Sequence, residues 1–190
     1  MTRLIAGRAG GRRLRVPPAG TRPTSDRVRE ALFNALVSRI DFEGLRVLDL
    51  YAGSGALGLE ALSRGAGHVL LVESDSRAAA VVRQNIADVG LPGAVLANAT
   101  VTKTLAAAPL EPYDLVLADP PYGLTDAVVD ADLRALLRGW VADGSIVVLE
   151  RSSRGPDTEW PQGYEPVRTR KYGETKLELA VVGSAPAATV

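Results

Sequence analysis

Short apolar runs alternate with amphipathic stretches through most of the chain. The apolar runs predict buried strands at residues 45–49, 68–73, 94–97, 113–119 and 145–150. The stretches between them carry apolar residues at helical spacing and predict helices at residues 56–63, 75–89, 101–107 and 126–138. Such regular alternation predicts an α/β fold, a doubly wound and mostly parallel sheet with helices on both faces.

The two ends of the chain have a different pattern. Residues 3–7 and 12–16 predict a small β-hairpin, and residues 17–20 a linker into a helix capped by Thr24 or Ser25. Alternating residues at 164–171 and 175–182 predict an antiparallel hairpin at the sheet edge. We therefore expect three parts: a basic N-terminal hairpin extension (1–20), a main domain (21–183) and a flexible tail (184–190).

A glycine-rich turn follows the first long strand. Asp49 ends that strand, and Gly53, Gly55 and Gly58 then stand at the G-x-G-x-x-G spacing that lets the backbone approach a nucleotide-like ligand. Glu73 ends the next strand, 20 positions after Gly53, where a carboxylate reaches the hydroxyls of a ribose. S-adenosylmethionine (SAM) and a nicotinamide dinucleotide both contain such a ribose, and this half of the chain does not choose between them.

Composition excludes several classes of protein. The chain has no cysteine and one histidine, which argues against a disulfide framework, a thiolate metal site and a Ser/His triad. No apolar run approaches the ~20 residues of a membrane helix, and no signal-peptide pattern opens the sequence. These features predict a cytoplasmic protein without membrane attachment or a metal site.

The net charge of zero conceals a strong asymmetry. Residues 1–29 contain eight arginines and one acid, which gives this segment +7, and the rest of the chain carries −7. Such polarity predicts a basic face for a polyanion, and a solvated tail is the alternative interpretation. Arginine suits bidentate phosphate contacts and stacking on bases. The predicted nucleic-acid contacts are Arg3, Arg8, Arg12, Arg13, Arg15, Arg22, Arg27 and Arg29.

A second motif, Asp119-Pro120-Pro121-Tyr122, follows the fourth strand. A carboxylate beside a carbonyl held by rigid proline backbone makes two neighbouring acceptors, which suit an exocyclic amino group with two N–H bonds. Tyr122 offers a flat surface for a base. A proline-rich turn with a capping aspartate is the structural alternative. We predict that Asp119 and the Pro120 carbonyl hold the amine of a nucleobase and that Tyr122 lies against its ring.

Together these motifs resemble the SAM-dependent amino-methyltransferases of nucleic acids. The segment from Arg22 to Glu30 and the basic opening are similar to the RsmD-type 16S ribosomal RNA guanine-N2 methyltransferases, and the similarity extends from about Arg3 to Val182. The resemblance implies a Rossmann-like methyltransferase fold, SAM as methyl donor, and 16S rRNA, the small ribosomal subunit or its assembly precursor as partner. It also implies that Asp49, Gly53 and Gly55 line the methionine end of SAM.

By the same resemblance Glu73 holds the ribose, and Asn98 stands where many related enzymes have an aspartate that accepts from the adenine amino group. Glu60, Arg64 and Glu150 are interpreted as charges on a helix surface or at a strand end.

Other functions remain open at this point. A DNA or RNA adenine-N6 methyltransferase would use the same four-residue motif. An RNA-binding protein without chemistry would use only the basic segment. A nicotinamide-dependent dehydrogenase is disfavoured, because it leaves Asp119–Tyr122 without a role.

Overall fold

The computed structural model describes residues 2–18 and 24–183. Arg22, the end of the predicted linker and the predicted tail lie outside the described residues. A seven-stranded sheet carries the fold, in the order β5-β4-β3-β6-β7-β9-β8. Its members are β3 (Arg46–Leu50), β4 (His68–Val72), β5 (Ala94–Ala97), β6 (Tyr113–Ala118), β7 (Val141–Ser152), β8 (Tyr164–Tyr172) and β9 (Thr175–Val182). The strands from β3 to β7 pair in parallel, and β9 pairs antiparallel with β7 and β8.

The described residues contain five helices: α1 (Asp26–Val37), α2 (Ala56–Ser63), α3 (Ser76–Val89), α4 (Val101–Ala106) and α5 (Asp126–Leu136). Four of them begin at an N-cap side chain that accepts from a backbone N–H of the first turn: Ser25, Asp75, Thr100 and Thr125. Ser25 is therefore the cap of α1, and Thr24 has a different role. The predicted α/β fold with its C-terminal hairpin is confirmed. No helix among the described residues has the length and hydropathy to cross a membrane.

Apolar side chains form one core on each face of the sheet. One core joins α1, α2 and α3 to the sheet, and the other contains α4, α5 and Trp140. Leu4, Ala9 and Leu14 from the N-terminal segment belong to the first core. The segment therefore packs on the helices of the main domain, and the division into an extension and a domain stays a prediction.

The N-terminal hairpin is much shorter than predicted. Its strands are only β1 (Thr2–Arg3) and β2 (Arg13–Leu14). The reason lies in α2, where the carboxylate of Glu60 accepts from the backbone N–H groups of Ile5 and Ala6 at 2.8 and 3.1 Å. Backbone donors that bind a side chain are not available to a strand ladder.

Strand β7 is longer than the predicted segment 145–150. Val141 pairs with Tyr113, and the register then shifts before Ile146 pairs with Leu115. The Ser145 hydroxyl donates to the Tyr113 carbonyl at 2.7 Å and accepts from the N–H of Ala142 at 3.1 Å. This side chain therefore stabilises a bulge in the strand. The polar residues just before Ser145 interrupt the apolar pattern, so that pattern predicted only the part of β7 that begins at residue 145.

Candidate active site

The carboxyl ends of β3, β4 and β6 meet at one edge of the sheet and surround a cavity of about 610 Å³. Parallel α/β sheets bind ligands at this edge, because the turns that leave neighbouring strands converge there. The cavity wall contains Gly53, Glu73, Asp119, Pro120 and Tyr122. Both sequence motifs therefore contribute to the same wall, one from each side.

The turn after β3 has a backbone that only particular residues tolerate. Gly55 precedes α2 with a φ of +83°, and a Cβ there would lie 3.0 Å from the Leu71 side chain. A Cβ on Gly58 would lie 2.9 Å from an oxygen of Asp49 and 2.9 Å from Val69. The glycines thus let the turn and the first turn of α2 lie directly on the strands.

Glu73 is tied to this turn. One carboxylate oxygen accepts from the N–H of Gly53 at 2.8 Å, and the other accepts from the N–H of Asp75 at 2.9 Å. Each carboxylate oxygen has room for a further hydrogen bond. The side chain is therefore fixed in the cavity wall and still has acceptor capacity for ligand hydroxyls.

Asp49, Gly55 and Asn98 do not belong to the wall as the structure describes it. Asp49 is buried behind it and accepts from the N–H of Gly58 at 2.8 Å. Burial, opposed by that hydrogen bond and assisted by the charge of Glu73, raises the pKa of Asp49 to about 8. Asn98 is exposed, and its amide donates to the carbonyls of Glu73 and Ser74 at 2.9 and 3.3 Å. Its role toward an adenine stays a prediction.

Asp119 lies where β6 ends, and its carboxyl group accepts from the Thr24 hydroxyl at 3.2 Å. Burial and the nearby charge of Glu150 raise the pKa of Asp119 well above its usual range, and the Thr24 hydrogen bond opposes this. Tyr122 is 43% exposed at the mouth of the cavity, with its hydroxyl 3.5 Å from that of Thr175. A carboxyl group, a proline carbonyl and an aromatic ring thus lie together beside the glycine turn.

Almost the whole chain is similar to a described protein family. Residues 2–181 match the family model described as Conserved hypothetical protein 95. The chain belongs to this family. A relative, Ribosomal RNA small subunit methyltransferase D of Escherichia coli K12, is 40% identical over 182 residues, which are 93% of this chain and 88% of the relative. The putative rRNA methyltransferase YlbH of Bacillus subtilis is 41% identical over 124 residues, 63% of this chain and 66% of that protein.

Solved structures agree with this assignment. The putative methyltransferase yhhF of Escherichia coli has a TM-score of 0.86 at 32% identity, covering 96% of this chain and 98% of that one. A putative methylase from Haemophilus influenzae has a TM-score of 0.76 at 28% identity, covering 95% and 97%. The predicted membership of the RsmD-type family and the Rossmann-like methyltransferase fold are confirmed.

Most of the predicted nucleic-acid contacts of this family member are exposed: Arg3, Arg8, Arg12, Arg13, Arg15 and Arg27. Arg29 is not. Its side chain is fully buried, donates to the Thr2 hydroxyl and the Arg3 carbonyl, and forms ion pairs with Asp26 and Glu60. A guanidinium with these partners holds the N-terminal segment onto α1 and α2, so the prediction that Arg29 contacts nucleic acid does not fit its position.

Sequence reasoning did not assign three residues to the site: Thr24, Glu150 and Tyr51. Thr24 lines the cavity, and its hydroxyl contacts both Asp119 and Glu150. Glu150 lies near the end of β7 as interpreted, but it is only 5% exposed and contacts Thr24, which that interpretation did not include. A signal for Glu150 was present, because an acid ends the buried run of β7 just as Glu73 and Asp119 follow β4 and β6. Tyr51 was missed as well: it lines the wall at a φ of +59°, with its hydroxyl donating to Asp132.

Proposed function

We propose that this protein transfers a methyl group from SAM to the exocyclic N2 of a guanine in small-subunit ribosomal RNA. The observation that carries the proposal is that Glu73, the proposed acceptor for ribose hydroxyls, and Asp119, the proposed acceptor for the target amine, line the same cavity. The names of the relatives support the RNA as substrate, and the guanine N2 comes from the resemblance described above.

The residues present fit a SAM-sized donor. A cavity of about 610 Å³ lies within the range of ligand sites, roughly 300–1,000 Å³. The Glu73 carboxylate would bind the ribose hydroxyls, and the turn at Gly53 would lie against the methionine portion. The bound donor supplies a methyl group on a positively charged sulfur, which makes that carbon electrophilic.

The target amine needs to be held, because its lone pair is delocalised into the guanine ring. In our proposal the Asp119 carboxylate and the Pro120 carbonyl each accept one N–H of the amine, and Tyr122 packs against the base. Fixing both hydrogens directs the lone pair at the methyl carbon, so positioning and electrostatics lower the barrier. A bond would form from N2 to the methyl carbon while the carbon–sulfur bond breaks, and the amine would lose one proton to the Asp119 carboxylate or to water.

The test is methyl transfer from labelled SAM to small-subunit particles that lack the modification, followed by mass-spectrometric mapping of the RNA. We expect one equivalent of label, on N2 of a single guanine. Label on an adenine N6 would instead support the adenine methyltransferase. SAM binding without transfer to rRNA or its particles would contradict the proposed substrate.

Replacing Glu73 with alanine should raise the Kd for SAM about 10- to 100-fold. The variant loses the hydrogen bonds between the ribose hydroxyls and a charged carboxylate, and a hydrogen bond of this kind contributes about 1.5–3 kcal/mol. It also loses the acceptor that fixes the backbone of Gly53. Calorimetric titration with SAM measures the change. Glu43→Ala is the control, because Glu43 is exposed at the opposite edge of the sheet and pairs only with an exposed Arg8 in the described residues. An unchanged Kd in Glu73→Ala would remove Glu73 from the donor site.

A further inference from the structure

The Thr24 hydroxyl lies between two carboxyl groups. Its oxygen is 2.5 Å from an oxygen of Glu150 and 3.2 Å from an oxygen of Asp119. A hydroxyl has one hydrogen and can donate it to only one of them at a time. Donation to Asp119 stabilises the carboxylate form of Asp119, whereas donation to Glu150 leaves that carboxylate without the Thr24 hydrogen.

The two carboxyl groups therefore compete for one hydrogen. A charged Glu150 attracts that hydrogen and also disfavours a second negative charge on Asp119. In the free protein, burial and Glu150 favour a protonated Asp119, and the Thr24 hydroxyl opposes them when it donates to the Asp119 carboxylate. An incoming amine donor would reverse this preference, because it binds the carboxylate form.

Other groups around Asp119 act on the same equilibrium. Asp49 on β3 and Glu150 on β7 disfavour the charged form of Asp119, while Arg151 on β7 and the Thr24 hydroxyl favour it. Burial disfavours it most. Glu150 and Thr24 are thus the two neighbours in mutual contact that act on Asp119 in opposite directions.

We propose that Thr24 and Glu150 are positioning residues for methyl transfer, which hold Asp119 in place and set the pH at which it becomes the carboxylate that binds the target amine. This inference rests on the proposed function. Neither residue needs to touch the base or the donor, since both act through Asp119.

Two substitutions give opposite expected results. Glu150→Gln keeps an acceptor for Thr24 but removes a negative charge, so the pKa of Asp119 falls and the acid limb of kcat/KM moves to lower pH. Thr24→Val keeps the shape but removes the donor that stabilises the carboxylate, so the pKa of Asp119 rises and the limb moves to higher pH. Thr24→Ser restores the hydroxyl and should restore the wild-type limb. Because Thr24→Val loses a single hydrogen bond, the plateau value of kcat/KM above the acid limb should fall by less than about tenfold.

A titration without catalysis separates this inference from the proposed function. Carbon-13 NMR of labelled aspartate carboxyls in the free protein should give the same order of midpoints for Asp119: Thr24→Val above wild type, and wild type above Glu150→Gln. Circular dichroism confirms that each variant is folded. Midpoints that do not move, or that move in one direction in both variants, overturn the inference even where methyl transfer is confirmed. The NMR order also stands if no transfer to rRNA is found.

A different observation concerns the outermost strand. β8 is antiparallel to β9, which is antiparallel to β7, so β8 runs in the same direction as the parallel strands. Its last residues therefore lie at the edge that holds the cavity. Arg170 and Lys171 are exposed there, next to Tyr172, which pairs with Thr175 beside the Tyr122 hydroxyl.

We infer that Arg170 and Lys171 form a second phosphate-binding surface, which holds RNA on the Tyr122 side of the cavity. The inference rests on the proposed RNA substrate. Exposed cations also protect an edge strand against pairing with other chains, and the test separates this from RNA contact. The two cations are consecutive residues at the end of an edge strand, so their side chains leave opposite faces of the sheet, and together they can neutralise about two phosphates of an RNA that passes around this edge.

The double variant Arg170→Ala/Lys171→Ala should lower the slope of log K against log salt for small-subunit rRNA by about 1.5–2. SAM affinity should not change. The control is Arg39→Ala/Arg138→Ala, which removes two exposed arginines that follow α1 and α5 at the opposite edge. An equal change of slope in the control, or no change in the β8 variant, overturns the inference. If the β8 variant scatters more light than the wild type but binds RNA equally well, the two cations protect the edge strand against pairing with other chains and do not bind RNA.

Discussion

Replacing Asp119 with alanine should lower kcat for methyl transfer by about 10²–10³-fold while the Kd for SAM changes by less than about threefold. The side chain lies on the Pro120–Tyr122 side of the cavity wall, and the donor contacts proposed for Glu73 lie on the other side. Without the carboxylate only the Pro120 carbonyl holds the amine, which leaves its lone pair free to delocalise into the ring, so the loss falls on the chemical step. Initial rates with labelled SAM and calorimetric SAM titrations measure the two quantities.

Two further variants sharpen this experiment. Asp119→Asn keeps the shape but turns an N–H donor toward an amine that needs acceptors, so it should be as slow as alanine. Asp130→Ala removes an exposed carboxylate of α5 that pairs with Arg134, and it should keep the wild-type rate within about twofold. Equal losses of SAM affinity and rate in Asp119→Ala would contradict the division of the wall into a donor side and an amine side.

The sequence predicted those parts of the molecule that local patterns determine. Helix α2 has the predicted boundaries, and strand β6 ends one residue before the predicted Asp119, because a buried run and a glycine turn lie within a few neighbouring residues. Glu73 and Asp119 could be assigned to one site because parallel strands end at the same edge, which is a property of the fold and not of any distant contact.

The errors involve contacts between distant parts of the chain. Glu60 was interpreted as a charge on a helix surface and Arg29 as a nucleic-acid contact, yet the two side chains, 31 positions apart, are both fully buried. Glu150 was interpreted only as a charge at a strand end, because its partner Thr24 is separated from it by 126 positions. Local periodicity contains no information about such partners, and a buried charge is recognised only once its partners are known.

Glu60→Ala should lower the free energy of unfolding by about 3–5 kcal/mol, a large share of the roughly 5–15 kcal/mol of a typical domain. The Glu60 carboxylate accepts from the backbone of Ile5 and Ala6, binds Arg64 at 2.9 Å and lies 3.8 Å from the Nε of Arg29. Alanine would leave the buried Arg29 with less compensation and two backbone donors without their acceptor. Urea denaturation followed by circular dichroism measures the loss.

The same variant tests whether the N-terminal segment depends on Glu60 for its position. Val16 and Pro17, which follow the residues docked on Glu60, line the cavity, so loosening the segment should also raise the Kd for SAM and expose residues 2–18 to protease. Glu111→Ala is the matched control, because its ion pair with Arg46 is exposed at 3.8 Å and should contribute less than about 1 kcal/mol. A loss in Glu60→Ala no larger than that of the control would mean that apolar contacts of Leu4, Ala9 and Leu14 suffice to dock the segment. The buried charges would then stabilise little, and the segment would close one side of the cavity by packing alone.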